Sequence, residues 1–271
     1  MRRGLSITEL LVVIAVLGIV ASLAIPALDA AATSTRRAQC ASNLRQMTRA
    51  ALSYAAQREG RFPPGLLYGT DRNATSGIVR AWDWTRSAAG TVTPGELWSL
   101  VDGNSERQVL QCPTAEHVNP GWSGDPATGY NYNVAFVAAE ARPPTSTDAG
   151  LGAWDLVIEK PNLDGGAALT LQQCRRSAAA ALFGTGGRRG GVNKFMRSPV
   201  NAPGCYDTAY GGGQAFPDGG SNVGWIDGHV STQRHMHRGA HWDSLPAWMT
   251  AQLDWPRNGF LSEDASAYDP R

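Results

Sequence analysis

The residue types best suited to metal chemistry cluster near the carboxyl end of the chain. Four of the five histidines lie within 13 residues, at His229, His235, His237 and His241, and Asp227 lies two residues before the first of them. Imidazole groups suit zinc, copper or nickel, while a solvated polar segment is the simpler interpretation of the same residues. The aspartates lack the Asp-x-Asp-x-Asp spacing of a calcium loop. We therefore predict no cofactor and leave calcium and a transition metal open.

Spacings typical of enzymes do not occur in the sequence. The Gly-rich run at 184–187 is not followed by Gly-Lys-Ser/Thr, so it does not indicate a phosphate-binding loop. No serine lies in a Gly-x-Ser-x-Gly frame, and no His-Glu-x-x-His occurs. The 24 Lys and Arg residues against 23 Asp and Glu give a net charge of +1, which argues against a broad surface for polyanions. We predict no enzymatic activity and no nucleic-acid partner.

The amino-terminal segment carries an apolar run long enough to cross a membrane. Arg2 and Arg3 precede the run, and residues 10–28 contain no charge. At about 1.5 Å per residue, a helix of this length spans nearly 30 Å, the thickness of a hydrocarbon core. The two arginines favour a cytoplasmic amino terminus. The chain after Asp29 is therefore expected on the outer side of the inner membrane.

Glu9 lies at the edge of this run and separates three interpretations: a cleaved secretory signal, a plain membrane anchor and a pilin-type segment. A secretory signal has a shorter apolar region, of about 7–15 residues. Neither a signal nor a plain anchor accounts for a carboxylate that costs roughly a few kcal/mol beside hydrocarbon. In a bundle of such helices, the Glu9 carboxylate can pair with the α-amino group of a neighbouring subunit. It also lies in the first helical turn, where the helix dipole favours negative charge.

Residues 4–14, GLSITELLVVI, closely resemble the cleavage and methylation signature of type IV pilins and type II secretion pseudopilins. In that family a prepilin peptidase cuts after the glycine, here Gly4. It then N-methylates the new first residue, here Leu5, where the family usually has Phe. Counted from Leu5, Glu9 is fifth and Pro26 is twenty-second, as is usual in the family. The resemblance implies subunit assembly through Glu9 and a helix kink at Pro26, where proline removes one helix hydrogen bond.

A second helical segment and a β-rich region follow the apolar run. Residues 30–58 contain neither Gly nor Pro, and Gly60 follows them as a helix stop. Apolar residues recur on one face of this segment at spacings of three and four: Cys40, Leu44, Met47, Ala51 and Tyr54. Farther along, Asp227-Gly228 lies between two β-rich runs and predicts a two-residue hairpin turn.

These segments predict an α+β fold with four parts. They are a prepilin leader over 1–4, a transmembrane and filament-core helix over 5–29, an amphipathic stalk helix over 30–59, and a β-rich head over 60–271 that ends in a polar tail. The resemblance to pilins implies a ladle shape. One long helix, spanning the membrane in its first half, would pack on a loop-rich antiparallel β head.

Scattered phrases resemble a narrower pilin-like family that carries a His-x9-Asp-Gly motif near the carboxyl terminus. They include residues 110–113 (LQCP), 130–133 (YNYN) and 225–230 (WIDGHV). Asp227 and Gly228 match the turn of the motif. Pro217 stands ten residues before Asp227, where the family has His, so a role that depends on that His does not carry over.

The four cysteines show no Cys-x-x-Cys spacing of the kind that binds zinc. In an exported domain they permit two disulfides with three connectivities. Cys40 lies on the apolar face of the stalk helix, and Cys112 belongs to a stretch expected to pack near it. We predict a Cys40–Cys112 disulfide, which leaves Cys174 to pair with Cys205.

The sequence thus predicts a structural subunit of a type IV pilus-like filament or a type II secretion pseudopilus. The expected partners are further copies of the chain, the prepilin peptidase and the assembly machinery of the inner membrane. The chain would cross that membrane once and later form an extracellular or periplasmic filament. One alternative is an anchored or secreted module that binds a glycan or a protein through some of its nine tryptophans, with Trp82 and Trp84 best placed. Another is an exported metalloenzyme that uses the carboxyl-terminal histidines.

Overall fold

The computed structural model describes residues 7–68, 79–87, 89, 91–95, 97, 100–101, 109, 111–114, 129–142, 157–160, 168–199, 213–245 and 247–271. The chain divides into two units, Met1–Gln39 and Cys40–Arg271, and the boundary lies inside the first helix. The layout is one long amino-terminal helix together with sheets of mainly antiparallel strands. The predicted α+β class is therefore confirmed.

Helix α1 extends over Ile7–Ala56, and its burial begins at Cys40. All five residues of the predicted apolar face are buried: Cys40, Leu44, Met47, Ala51 and Tyr54. A turn over 57–60 follows the helix, and the Gly60 N–H donates to the Ala55 carbonyl at 2.8 Å. Gly60 takes φ +84°, a conformation open to glycine without strain. The predicted stop at Gly60 therefore closes the helix by a left-handed turn.

A six-stranded sheet has the order β4-β3-β2-β1-β6-β7. All neighbouring strands are antiparallel except β1 and β6, which are parallel. Its strands are β1 (Leu66–Tyr68), β2 (Val79–Ala81), β3 (Trp84–Arg86), β4 (Val92–Pro94), β6 (Glu140–Arg142) and β7 (Val157–Lys160).

A five-stranded sheet, with the order β12-β11-β8-β5-β9, packs against the second part of α1. Only its β5–β9 pair is parallel. Its strands are β5 (Tyr130–Asn133), β8 (Ala181–Thr185), β9 (Phe195–Met196), β11 (Ser221–Trp225) and β12 (Val230–Gln233). The other described elements are helix α2 (Ala247–Leu253) and the two-stranded pair of β10 (Gln214–Ala215) with β13 (Asn258–Gly259).

The main core lies between α1 and the five-stranded sheet. Aromatic rings fill its centre: the rings of Tyr132 and Phe183 stack with centroids 4.9 Å apart, and the Trp82 ring lies 5.3 Å from that of Phe183. Gly224 lets the helix approach β11, because a Cβ atom at this position would lie only 2.4 Å from Thr48 Oγ1.

The carboxyl terminus differs from the predicted polar tail, because it is packed into a second core. Phe260 and Tyr268 are buried there. The Tyr268 hydroxyl donates to Gln214 Oε1 at 3.0 Å and accepts from the Leu261 N–H at 2.8 Å. The Asn133 side-chain amide donates to the Tyr268 carbonyl at 2.8 Å. These bonds satisfy the polar groups of a segment whose composition alone indicates a solvated tail.

Candidate assembly interface

The first part of α1 presents an apolar surface on every side. All thirteen large aliphatic side chains from Ile7 to Leu28 are exposed, by 49% at Val13 and up to 79% at Ile7. An 18-residue window of α1 has a mean hydropathy of 2.8, and none of it is buried. By length and composition, α1 qualifies as a helix that can span a membrane, and it is the only helix of the described residues to do so. Such a surface requires lipid or a protein partner to cover it.

Glu9 lies in the first turn of α1 and is exposed. The aligned peptide dipoles of a helix give its start a partial positive charge, which favours a carboxylate there. Glu9 precedes the apolar stretch, so its charge stands at one end of the apolar surface. Gly4 and Leu5, the residues of the predicted cleavage and methylation, lie outside the described residues.

Pro26 lies inside α1, which continues on both sides of it as one helix. Proline lacks the N–H that would bond to the Ser22 carbonyl, so the helix loses one backbone bond at this point. The Ser22 hydroxyl donates to the Ile19 carbonyl at 2.8 Å. The kink at Pro26 stays a prediction.

The predicted hairpin over 222–231 is confirmed by the pairing of β11 with β12, but its turn is one residue longer than expected. The Trp225 N–H donates to the His229 carbonyl at 2.9 Å, which closes a three-residue loop. Gly228 takes φ +97° in this loop. The arrangement fits a turn followed by a left-handed residue, a common alternative to the two-residue hairpin.

Asp227 organises this loop through His229. Asp227 Oδ1 accepts from the His229 N–H at 3.1 Å and lies 2.6 Å from His229 Nδ1. Partial burial opposes ionisation, but the hydrogen bonds from His229 outweigh it and lower the pKa of Asp227. The His229 ring stacks on Trp225 with centroids 5.6 Å apart. Pro217, at the position of the missing motif His, begins a 3₁₀ turn over Pro217–Gly219.

The structure brings Cys40 and Cys112 together without a disulfide bond between them. Their sulfur atoms lie 3.4 Å apart, and both residues are buried free thiols, whereas we predicted a disulfide. The hydrogen bond with Cys112 lowers the pKa of Cys40 to about 7, against the effect of burial. That same bond, together with burial, raises the pKa of Cys112. A thiolate formed at Cys40 is therefore stabilised by the hydrogen bond from the neighbouring Cys112 thiol.

The second predicted pair is described only in part. Cys174 is a half-buried free thiol whose Sγ donates to the Thr170 carbonyl at 3.4 Å. Burial, followed by the charge of Asp269, raises the pKa of Cys174 to about 11. Its predicted partner, Cys205, lies outside the described residues.

Of the four carboxyl-terminal histidines, His235 and His237 form a pair, and the four do not share one centre. The rings of His235 and His237 meet edge to face with centroids 4.4 Å apart, and His237 Nδ1 lies 3.4 Å from Glu263 Oε1. His229 belongs to the separate hairpin loop. Within the part of the chain that the structure describes, no three His, Cys, Asp or Glu side chains are grouped so as to hold a metal ion.

No protein-family model, curated protein or solved structure matches this chain.

Trp82 and Trp84, the tryptophans best placed for the alternative binding module, are buried. Trp82 is fully buried, Trp84 is 9% exposed, and Asp83 between them is fully buried. The strand assumed for this stretch is interrupted, because residues 82–83 form the bend between β2 and β3. The Trp82 indole N–H donates to the Lys194 carbonyl at 3.1 Å. These two rings therefore do not form an exposed binding platform.

The structure contains a buried ion pair between Asp83 and Lys194 that the sequence patterns do not predict. Lys194 Nζ lies 2.6 Å from Asp83 Oδ2, and the two side chains are 9% and 0% exposed. The pair links the β2–β3 bend of one sheet to the segment before β9 of the other. A weak signal existed, because Lys194 is one of only two lysines beside 22 arginines. Its partner lies 111 residues away, a distance at which sequence spacing gives no information.

Proposed function

We propose that the chain is a structural subunit of a type IV pilus-like filament or of a type II secretion pseudopilus. The observation that carries this proposal is the exposure of every large aliphatic side chain between Ile7 and Leu28. Such a helix is stable first in the bilayer and then in a bundle of identical helices, because both environments cover its whole circumference. The chain thus requires neighbours once it leaves the lipid.

The spacing of residues 4–14 supports a filament rather than a permanent anchor. Cleavage after Gly4 would create a new α-amino group at Leu5, four residues before Glu9. A carboxylate in an apolar bundle needs an opposite charge, and the amino group of an adjacent subunit supplies it. Prepilin peptidase and the inner-membrane assembly machinery are the partners that this route requires.

The remainder of α1 and the sheets suit a head that is exported as a folded unit. Residues 40–55 of α1 pack their buried face on the five-stranded sheet, and the carboxyl terminus completes a second core. The proposed location is a single span of the inner membrane with an exported head, followed by an extracellular or periplasmic filament. We propose a structural role for the head rather than a catalytic one.

Two substitutions test the proposal in the organism that makes the protein. Gly4→Ala is expected to leave an uncleaved precursor in the membrane, visible as a larger mass. Glu9→Ala is expected to be cleaved normally and to be missing from sheared filaments. Glu59→Ala is the matched control, because Glu59 is an exposed glutamate just beyond the other end of α1, with 74% of its side chain accessible. Normal assembly of Glu9→Ala, or equal loss of assembly in Glu59→Ala, would contradict the proposal.

The anchored binding module makes a different prediction at the amino terminus. A secreted module would begin near Ala31 after signal cleavage, and a plain anchor would keep Met1. A filament subunit would begin at Leu5 and carry an N-methyl group.

A further inference from the structure

A cleft with a volume of about 430 Å³ opens beside the Gly-rich segment that follows β8. This volume falls within the range of small-molecule sites. One wall is the turn over 188–191, a second is the segment around Phe216 and Pro217, and the third is the turn that leads into β13. Apolar side chains form much of the lining, and the charged side chains are Arg188, Arg257 and Asp254.

Arg188 is held at the cleft by its backbone. Its N–H donates to the Gly191 carbonyl at 3.3 Å, and the Gly191 N–H returns a bond of 3.2 Å to the Arg188 carbonyl. Gly190 completes the tight turn at φ +64°. The turn is attached to the end of α2 by a hydrogen bond of 2.7 Å from the Arg189 N–H to the Gln252 carbonyl. The side chain of Arg188 is thus presented from a fixed turn.

One nitrogen of the Arg188 guanidinium, the Nε atom, lacks among the described residues a partner that its burial calls for. Its Nε is buried and makes no hydrogen bond within the described part of the chain. A buried donor on a charged group costs free energy unless an acceptor meets it. Asp254, the acidic group of the cleft, lies 3.5 Å from Arg257 Nη1 instead. Among the described residues of the lining, a net charge of +1 therefore remains, located at Arg188.

The chemistry of the cleft favours a carboxylate over a phosphate. A phosphate site usually presents several free backbone N–H groups. Here the N–H groups of Gly186 and Gly187 are occupied by the carbonyls of Gly129 and Gly213, at 2.9 and 3.1 Å. One planar guanidinium matches one carboxylate in a two-bond fork, and Asp254 disfavours a dianion.

We propose that this cleft binds a carboxylate-bearing small ligand through Arg188, with the ligand's body against Phe216 and Pro217. A sugar acid and a peptide carboxylate share this chemistry. The site is independent of filament assembly, so the proposed function and the cleft can fail separately.

Ligand-observed NMR on the full-length chain in a non-ionic polyoxyethylene detergent tests the proposal. The probes are glucuronate for sugar acids, N-acetyl-dialanine for peptide carboxylates, glucose as the uncharged analogue, and inorganic phosphate. At least one carboxylate is expected to bind, and whichever binds more tightly identifies the source. Glucose is expected not to bind, and phosphate is expected to bind more weakly than the carboxylate.

Arg188→Gln is expected to weaken carboxylate binding about tenfold or more, because it removes a charge-assisted pair. Arg188→Lys keeps the charge without the fork and is expected to weaken binding by less. Arg189→Gln is the matched control, because Arg189 is the adjacent exposed arginine and does not line the cleft. Urea unfolding midpoints establish that each variant is folded.

Four outcomes would overturn the proposal. They are no carboxylate binding to the wild-type chain, tighter binding of phosphate, unchanged binding in both Arg188 variants, and an equal loss of binding in Arg189→Gln.

Discussion

Oxidation of Cys40 and Cys112 is expected to stabilise the folded unit Cys40–Arg271. Their sulfur atoms already lie 3.4 Å apart in the core, although the residues are 72 positions apart in the chain. Cys40 has a pKa lowered to about 7, so a substantial share of it is thiolate near neutral pH. An oxidant supplied in the assay, such as oxidised glutathione, can accept the two electrons and two protons released when the sulfur–sulfur bond forms.

The size of the effect follows from the loop that the bond would close. Constraining residues 72 positions apart removes denatured-state entropy equivalent to about 4 kcal/mol at 25 °C. Because both thiols are already in contact within the core, bond formation requires little movement of the helix or the sheet. With the urea dependence typical of a domain of this size, the midpoint should rise by roughly 1–2 M urea.

The assay is urea unfolding of the full-length chain in non-ionic detergent, with and without reductant. Tryptophan fluorescence follows the head, because Trp82 and Trp225 are buried in the fold. Mass spectrometry after alkylation counts the thiols that are free before reduction. Cys174→Ser is the control, since the Cys174 thiol is hydrogen-bonded to the Thr170 carbonyl. This variant is expected to show the same difference between oxidised and reduced protein as the wild type.

Two results would refute this reasoning. One is complete alkylation of Cys40 and Cys112 in the urea-unfolded chain after treatment with the oxidant and without reductant. The other is a midpoint that reductant does not change even though the bond is present by mass.

Three further predictions concern the head, each measured by urea unfolding. Lys194→Met leaves the Asp83 carboxylate buried and without its ion-pair partner, so it should lower the free energy of unfolding by about 3–5 kcal/mol. The double variant Lys194→Met with Asp83→Asn should recover part of this loss. A Lys194→Met variant within about 1 kcal/mol of wild type would contradict the ion pair. Gly224→Ala forces a Cβ atom against Thr48 and should cost about 1–3 kcal/mol; Thr48→Ala should relieve it, and additive losses would argue against that contact. In the reduced protein, the lowered pKa of Cys40 stabilises the fold fully above the ordinary thiol pKa of 9.0, and this contribution is lost as the pH falls through about 7. The free energy of unfolding should therefore rise as the pH is raised from about 7 to 9.0. A rise that persists in Cys40→Ala would have another source.

The helix and the hairpin could be predicted because their signals are local. The 3-and-4 spacing from Cys40 to Tyr54 specifies one buried helix face, and Asp227-Gly228 between β-rich runs specifies a reversal of the chain. Even there, the length of the turn could not be predicted. Gly228 can adopt a left-handed conformation in a two-residue or a three-residue loop, so Asp-Gly does not distinguish between them. Local patterns thus gave the elements and not their details.

Features that join distant segments could not be predicted from one sequence. The burial of Trp82 and Asp83 depends on Lys194, which lies 111 residues beyond Asp83. The packing of Tyr268 depends on hydrogen bonds with Gln214 and Asn133, polar residues of types that usually lie at the surface. The cleft at Arg188 could not be predicted from the Gly-rich run before it, because the chemistry of such a run depends on which of its N–H groups the fold leaves free to bind a ligand. Burial of polar residues is decided by partners, and partners are a property of the fold.

The mature amino terminus of the protein, taken from sheared and purified filaments, tests the central proposal most directly. Peptide mass spectrometry reads the first residue and any modification in one measurement. A pilin-like subunit is expected to yield a peptide that begins at Leu5 and carries one added methyl group. A peptide that begins at Met1 or near Ala31, or the absence of the chain from every filament preparation, would contradict it.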